Sequence, residues 1–337
     1  KLMNVEQARE TMAGFCKVCT VCNGKACAGQ IPGMGGTESG HSFMHNVEAL
    51  QRVRVEMKIL YDGEQEPQTK TTLFGQELSM PVIAAPIGGV RANCTKAVSE
   101  LAYRQALAKG CQTAGILPGY GDGPHEVVWN ATVEAMKQYG GITFIKPWND
   151  AIFLEKLHSL EGTDIKAIGI DLDSLGLDNA RMNGGYIPCR TNEQLKALLS
   201  EIPYPVIIKG VMSAQEAKQL VEMGVEAIVV SNHGGRIIDY SPGTAEILPE
   251  IAAEVKGQTT ILVDGGIQSG MDIYKMLALG ADGVLIGRAF TRAVFSDLDN
   301  GLAQYWQTLQ AQLKKTMLMT GCHTISDIDS THIRWAK

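Results

Sequence analysis

The sequence predicts a closed (β/α)8 barrel, a TIM barrel, preceded by a cysteine-rich extension. Three observations carry this. From about Ser79 onward eight short apolar runs alternate with eight helix-period segments. Together they match the order and the roughly 240-residue length of a closed parallel barrel. The first strand-to-helix turn, Pro86-Ile87-Gly88-Gly89-Val90, lacks the G-x-G-x-x-G of an open doubly wound sheet.

In chain order, strand 81–87 (PVIAAPI) leads to a helix over 95–109, and strand 111–117 (CQTAGIL) to one over 125–138. Strand 142–147 (ITFIKP) precedes helix 150–161, and strand 167–173 (AIGIDLD) precedes helix 191–202. Strand 205–210 (PVIIKG) feeds helix 213–223, where Ser213 and Glu216 make a capping-box pattern and Gly224 ends the helix. Strand 227–232 (AIVVSN) leads to helix 244–256, and strand 259–265 (TTILVDG) to helix 270–279. Strand 283–287 (GVLIG) and helix 297–318 complete the set. The domains expected are a cysteine-rich lead-in over 1–78, the barrel over 79–320 and a tail over 321–337.

At 337 residues, 45% hydrophobic and 20% charged, the chain has the composition of a soluble globular protein. A formal net charge of −6 and the lack of a basic stripe argue against a nucleic-acid partner. No apolar run approaches the ~20 residues that span a bilayer, and no signal segment opens the chain, so no membrane partner and a cytoplasmic location are expected. Four of the eight cysteines crowd into residues 16–27, which suits metal or redox chemistry in a reducing compartment better than a secreted disulfide framework.

Such barrels carry their chemistry at the C-terminal strand ends, often with phosphate bound by the loops after strands seven and eight. Those loops are Asp264-Gly265-Gly266-Ile267-Gln268-Ser269-Gly270 and Ile286-Gly287-Arg288-Ala289. Their glycines let backbone N–H groups approach an anion and Arg288 supplies countercharge, so a phosphorylated ligand or cofactor is expected. After strand six, Ser231-Asn232-His233-Gly234-Gly235-Arg236 sets an imidazole beside a guanidinium, a base next to a carboxylate fork. Lys146 and Trp148 after strand three, Asp171 in strand four and Lys209 in strand five converge on the same mouth.

These motifs, SNHGGR (231–236), IIKG (207–210), DGGIQSGMDIYKMLALGADGVLIGR (264–288) and MPVIAAPIGG (80–89), resemble the FMN-dependent 2-hydroxy acid oxidase and dehydrogenase family, the group of glycolate and lactate oxidases, over about residues 46–320. The resemblance implies FMN phosphate on Gly265, Gly266, Gly287 and Arg288, with Asp264 and Gln268 in the same loop. It sets the flavin ring near Pro86, Ile87, Gly88, Lys146 and Ser231, with Lys209 beside its pyrimidine edge. It makes His233 the base, Asp171 its orienting carboxylate, and Arg236 the clamp on the acid's carboxylate.

The chain departs from the family in the substrate shell. Ile31-Pro32-Gly33-Met34-Gly35-Gly36 replaces a tyrosine-bearing stretch, Trp148 replaces a second tyrosine and Lys146 a glutamine. Gly169 stands where a threonine is usual, the loop 173–178 lacks an arginine, and Gln268 replaces another. An acid that is lactate-like or bulkier is therefore expected, with electrons passing to a carrier or oxygen, and a homo-oligomer, a tetramer in such families. Cys16, Cys19, Cys22 and Cys27 follow C-x2-C-x2-C-x4-C, close to a ferredoxin spacing; an iron–sulfur cluster, zinc or unmetallated redox thiols all suit it. Two other functions compete: an FMN-dependent reductase or isomerase resembling type 2 isopentenyl-diphosphate isomerase, and a flavin/thiol redox sensor with little turnover.

Overall fold

A computed structural model of the chain describes residues 3–60, 66–177 and 187–336. Ahead of the barrel lie α1 (Val5–Thr11), α2 (His41–Arg52), β1 (Val53–Val55) and the hairpin strands β2 (Thr71–Leu73) and β3 (Gln76–Leu78). Then come β4 (Val82–Ile87), α3 (Val90–Asn93), α4 (Glu100–Ala114), β5 (Leu117–Tyr120), α5 (Glu126–Tyr139), β6 (Gly141–Ile145), α6 (Asp150–His158) and β7 (Ile165–Asp171). The second half holds α7 (Asn192–Ser200), β8 (Val206–Val211), α8 (Ala214–Glu222), β9 (Ala227–Val230), α9 (Thr244–Val255), β10 (Thr260–Val263), α10 (Gly270–Ala278) and β11 (Gly283–Ile286). It ends with α11 (Arg288–Ser296), α12 (Gly301–Thr320) and β12 (Ile333–Trp335). Strands β4 to β11 close a parallel barrel in sequence order, β11 pairing back onto β4.

Two elements fall elsewhere than the sequence pattern suggested. The run 111–117, expected as a strand, is mostly the last turn of α4: Cys111 and Ala114 are buried on its inner face, and Gly115, at φ 68°, ends the helix. The strand is Leu117–Tyr120, all four residues of it buried. The single helix expected over 297–318 is preceded by a separate one, α11, and begins only at Gly301. A Cβ at Gly301 would stand 1.9 Å from the Ala293 carbonyl oxygen, so glycine is what lets the two helices meet. Within the C-terminal segment, β12 pairs antiparallel with β1, Val53 opposite Trp335 and Val55 opposite Ile333.

Alternation along the strands divides the core in two. Val82, Ala84, Ile168, Ile170, Ile208, Ile228, Val230, Ile261, Val263, Val284 and Ile286 face the helices. Ile83, Ala85, Ile142, Phe144, Ala167, Ile207, Ala227, Val229, Leu262 and Leu285 fill the barrel, where Leu73, Phe74 and Leu78 of the β2–β3 hairpin join them. Among the described residues no helix is long and apolar enough to cross a membrane.

Candidate active site

Continuing the inward alternation by one step past the filled interior gives the site. Two residues beyond Phe144, Ile207, Val229, Leu262 and Leu285 stand Lys146, Lys209, Ser231, Asp264 and Gly287, and four beyond Ala167 stands Asp171. Each lies at the C-terminal end of its strand, where the barrel wall stops and a pocket begins.

These side chains form a buried network of opposite charges. Lys209 Nζ lies 3.7 Å from Asp171 Oδ1 and 3.9 Å from Asp264 Oδ2, and Lys146 Nζ lies 3.7 Å from Asp171 Oδ2. Burial works against the Lys209 ammonium, but Asp171, Asp173 and Asp264 outweigh it and hold its pKa above the ordinary lysine value. Burial pushes the Asp264 carboxyl up, against the pull of Lys209 and a hydrogen bond from Ser231. His233, at φ 56°, holds a conformation uncommon for a residue with a side chain. Its backbone N–H donates to Ser231 Oγ at 3.0 Å.

The carboxylate on His233 is not the one expected. Nδ1 of His233 lies 3.0 and 3.1 Å from the two oxygens of Asp173, with Lys209 Nζ 3.3 Å away, whereas Asp171 faces the two lysines. Asp173 sits in the 3-10 turn that follows β7, and that turn swings it round to the histidine while Asp171 stays in the strand. Burial raises the Asp173 carboxyl, but His233, Lys209 and Lys146 outweigh this and hold it below the usual carboxylate range.

Beside the network runs a cavity walled by Ala85, Pro86, Ile87, Gly88, Lys209, His233, Gly234, Asp264, Gly265, Gly266, Gln268, Gly287 and Arg288. Lys146, Asp171 and Ser231 are buried and do not line it. Trp148 is not part of it either: its Nε1 donates to Asp122 Oδ2 at 2.7 Å, and Lys156 Nζ sits 5.4 Å from its ring centre. The indole expected to line the substrate pocket is held outward by Asp122, which also accepts from the Lys146 backbone N–H.

The segment 33–36 lies over this cavity as a strap. Arg236 Nη1 donates to the Gly33 and Gly35 carbonyls at 2.7 and 2.9 Å, and its Nη2 to Asn93 Oδ1 at 3.1 Å. Arg288 Nε donates to the Met34 carbonyl at 2.7 Å and Nη2 to that of Gly35 at 3.2 Å, while its guanidinium stacks 3.8 Å over the Phe43 ring. Both arginines therefore sit on the cavity wall with several donors given to strap carbonyls.

All four N-terminal cysteines are free and half-buried, and all line one small adjoining cavity. Burial raises the Cys16 and Cys27 thiols. Among the described residues no three His, Cys, Asp or Glu side chains are grouped to hold a single metal ion. Asp178, the last residue of the loop read as lacking an arginine, lies outside the described residues.

Two residues escaped the sequence reading. Asp173 looked like the end of a strand, and only its distance from Asp171 and the glycine-rich turn opposite could have flagged it. Arg292 lines the same cavity as Arg288 and brings Nη2 to 3.5 Å from Gln268 Oε1, so a guanidinium reaches the place where the loop itself has glutamine. Its signal was legible: four residues after Arg288, it shares that residue's helix face.

A sequence profile described as FMN-dependent dehydrogenase matches residues 33–187 and 178–335. A peroxisomal (S)-2-hydroxyacid oxidase of Arabidopsis thaliana is 28% identical, covering 89% of this chain and 90% of the relative. An L-lactate oxidase of Roseobacter sp. (strain GAI101) is also 28% identical, with 87% of each chain covered. Among solved structures, mandelate oxidase with 3,3-difluoro-2-hydroxy-3-phenylpropionic acid matches with a TM-score of 0.79 at 23% identity, covering 100% of both chains. That last likeness speaks for the fold.

Proposed function

The chain belongs to the FMN-dependent dehydrogenase family, and from that premise we propose that it removes hydrogen from C2 and its hydroxyl in a 2-hydroxy acid. The observation that carries this is the His233–Asp173 pair beside Lys209 on the wall of a glycine-cradled cavity. The cavity suits FMN. Gly265 and Gly266 press so closely on Asn46 that a Cβ would lie 2.9 and 3.0 Å from it, which leaves their backbone open to an anion. Gly287 has only Ala85 and Ile87 within 4 Å of a would-be Cβ, so a side chain there would take cavity space. With Gln268, Arg288 and Arg292 at the same end, this donor set would hold the phosphate, and Pro86, Ile87 and Gly88 would flank the ring.

When bound, FMN supplies the acceptor for the two electrons that leave the acid. The Asp173 carboxylate at Nδ1 of His233 fixes the N–H on that nitrogen and leaves Nε2 as the proton acceptor for the substrate hydroxyl. Lys209, kept charged by three carboxylates, presents a fixed positive charge to negative charge developing in the cavity. A substrate carboxylate outcompetes the neutral Gly33 and Gly35 carbonyls for Arg236, because a charged acceptor makes the stronger bond. Met34 and Phe43 add apolar wall, which favours an acid with an apolar substituent at C2.

Anaerobic photometry of FMN-loaded protein tests the reading. Lactate or a bulkier 2-hydroxy acid is expected to bleach the flavin, and His233→Ala to slow bleaching by roughly 10²-fold or more with flavin still bound. Bleaching by NAD(P)H alone, or an unaltered rate in His233→Ala, would overturn it.

A further inference from the structure

We propose that Cys16, Cys19, Cys22 and Cys27 hold an iron–sulfur cluster against the cofactor cavity. All four thiols line one cavity, and Arg288 and Arg292 are in its wall. Cys22, Arg288 and Arg292 also line the cavity proposed for FMN, so these side chains stand between the two spaces. Arg292 is 7% exposed and its Nε has no hydrogen-bond partner, a buried donor awaiting an anion.

The arrangement favours a multinuclear core over one ion. Zinc needs its sulfurs about 2.3 Å from a single point, yet no three of these side chains are grouped around one. Thiols spread round a cavity fit a larger core. Four thiolates on a cubane of charge about 2+ leave roughly two negative charges, part of which Arg292 in the shared wall offsets. Cys16 Sγ already accepts from the Val18 N–H at 3.4 Å, the kind of contact that tunes cluster sulfurs. The segment is docked: Gln268 Nε2 donates to the Cys22 carbonyl at 2.8 Å, and Lys17 Nζ to that of Ala26 at 3.0 Å.

The cluster's role, unlike the site itself, rests on the reading of the enzyme as an acid dehydrogenase. Each 2-hydroxy acid converted to its 2-oxo acid loses two electrons and two protons. The protons leave by way of His233 and solvent. The electrons leave one at a time through the cluster, each reducing one molecule of a one-electron carrier protein, so two carriers are reduced per acid.

Metal content of the FMN-loaded protein, purified anaerobically, decides the site independently of turnover. About four iron and four sulfide per chain are expected, with a low-temperature EPR signal after dithionite. Each of Cys16→Ser, Cys19→Ser, Cys22→Ser and Cys27→Ser should lose most of the iron and keep its flavin absorbance, while Cys189→Ser, an exposed thiol elsewhere, keeps both. Wild-type protein with flavin and zinc but no iron overturns the proposal, as does metal-free protein in which all four thiols titrate. A cluster present in protein whose flavin no acid bleaches would leave the site standing and sink the dehydrogenase reading.

Discussion

Asp171 and Asp173 are two residues apart and do different things. The first lies 3.7 Å from two ammonium groups, the second 3.0 Å from the imidazole. Asp173→Asn is therefore expected to slow acid-driven flavin reduction by roughly 10²-fold, as loss of the fixed tautomer should, and Asp171→Asn by less; the reverse order in stopped-flow rates would reassign the pair. Asp173 also sets a pH dependence. A carboxyl whose folded pKa is depressed stabilises the fold above its unfolded value of about 3.9, and that contribution fades as pH falls through the folded value. The Tm gap between wild type and Asp173→Asn should hold level from pH 7 to about 4 and close below it. His233, Lys209 and the glycine loops were legible because residue type and strand position together carry them. Trp148 and Asp173 were not, because the partners that aim them, Asp122 and His233, come from other strand ends.

Among the elements, β6 and β7 explain one departure from the family pattern. A Cβ at Gly169 would fall 2.2 Å from Phe144 Cδ1 on the neighbouring strand, so glycine makes room for a phenyl ring inside the barrel. Gly169→Ala should cost about 1–3 kcal/mol by overpacking. Denaturant melts of Gly169→Ala, Phe144→Leu and the double variant should show the two substitutions coupled, and strict additivity would mean that the ring simply moves aside. The sequence could show the missing threonine but not its cause, since the register between strands is a property of the closed sheet. The misplaced second strand has a similar origin: Cys111-Gln112-Thr113-Ala114 is short and apolar enough for either element, and only Gly115, left-handed after the last helical turn, decides.

On the scale of the molecule, the residues before the barrel belong to its mouth. Arg236, Arg288 and Gln268 reach from three strand ends to Gly33, Met34, Gly35 and Cys22. Arg288→Ala removes two charge-assisted bonds to the strap, and loss of one such bond, about 1.5–3 kcal/mol, is worth roughly 10-fold or more in opening. Trypsin should then cut at the exposed Lys17 and Lys25 at least that much faster, and an unchanged rate would show that the strap is held elsewhere. Composition and spacing revealed the barrel and the unusual cysteines, but not that the two are one unit, because the ties are side chain to backbone carbonyl and leave no pattern in the sequence. The opposite end of the barrel is stoppered by Leu73, Phe74 and Leu78. With that end filled, incoming acid and outgoing product both pass on the strap side of the barrel, and the 2-oxo product should compete with the acid for binding to the oxidised protein.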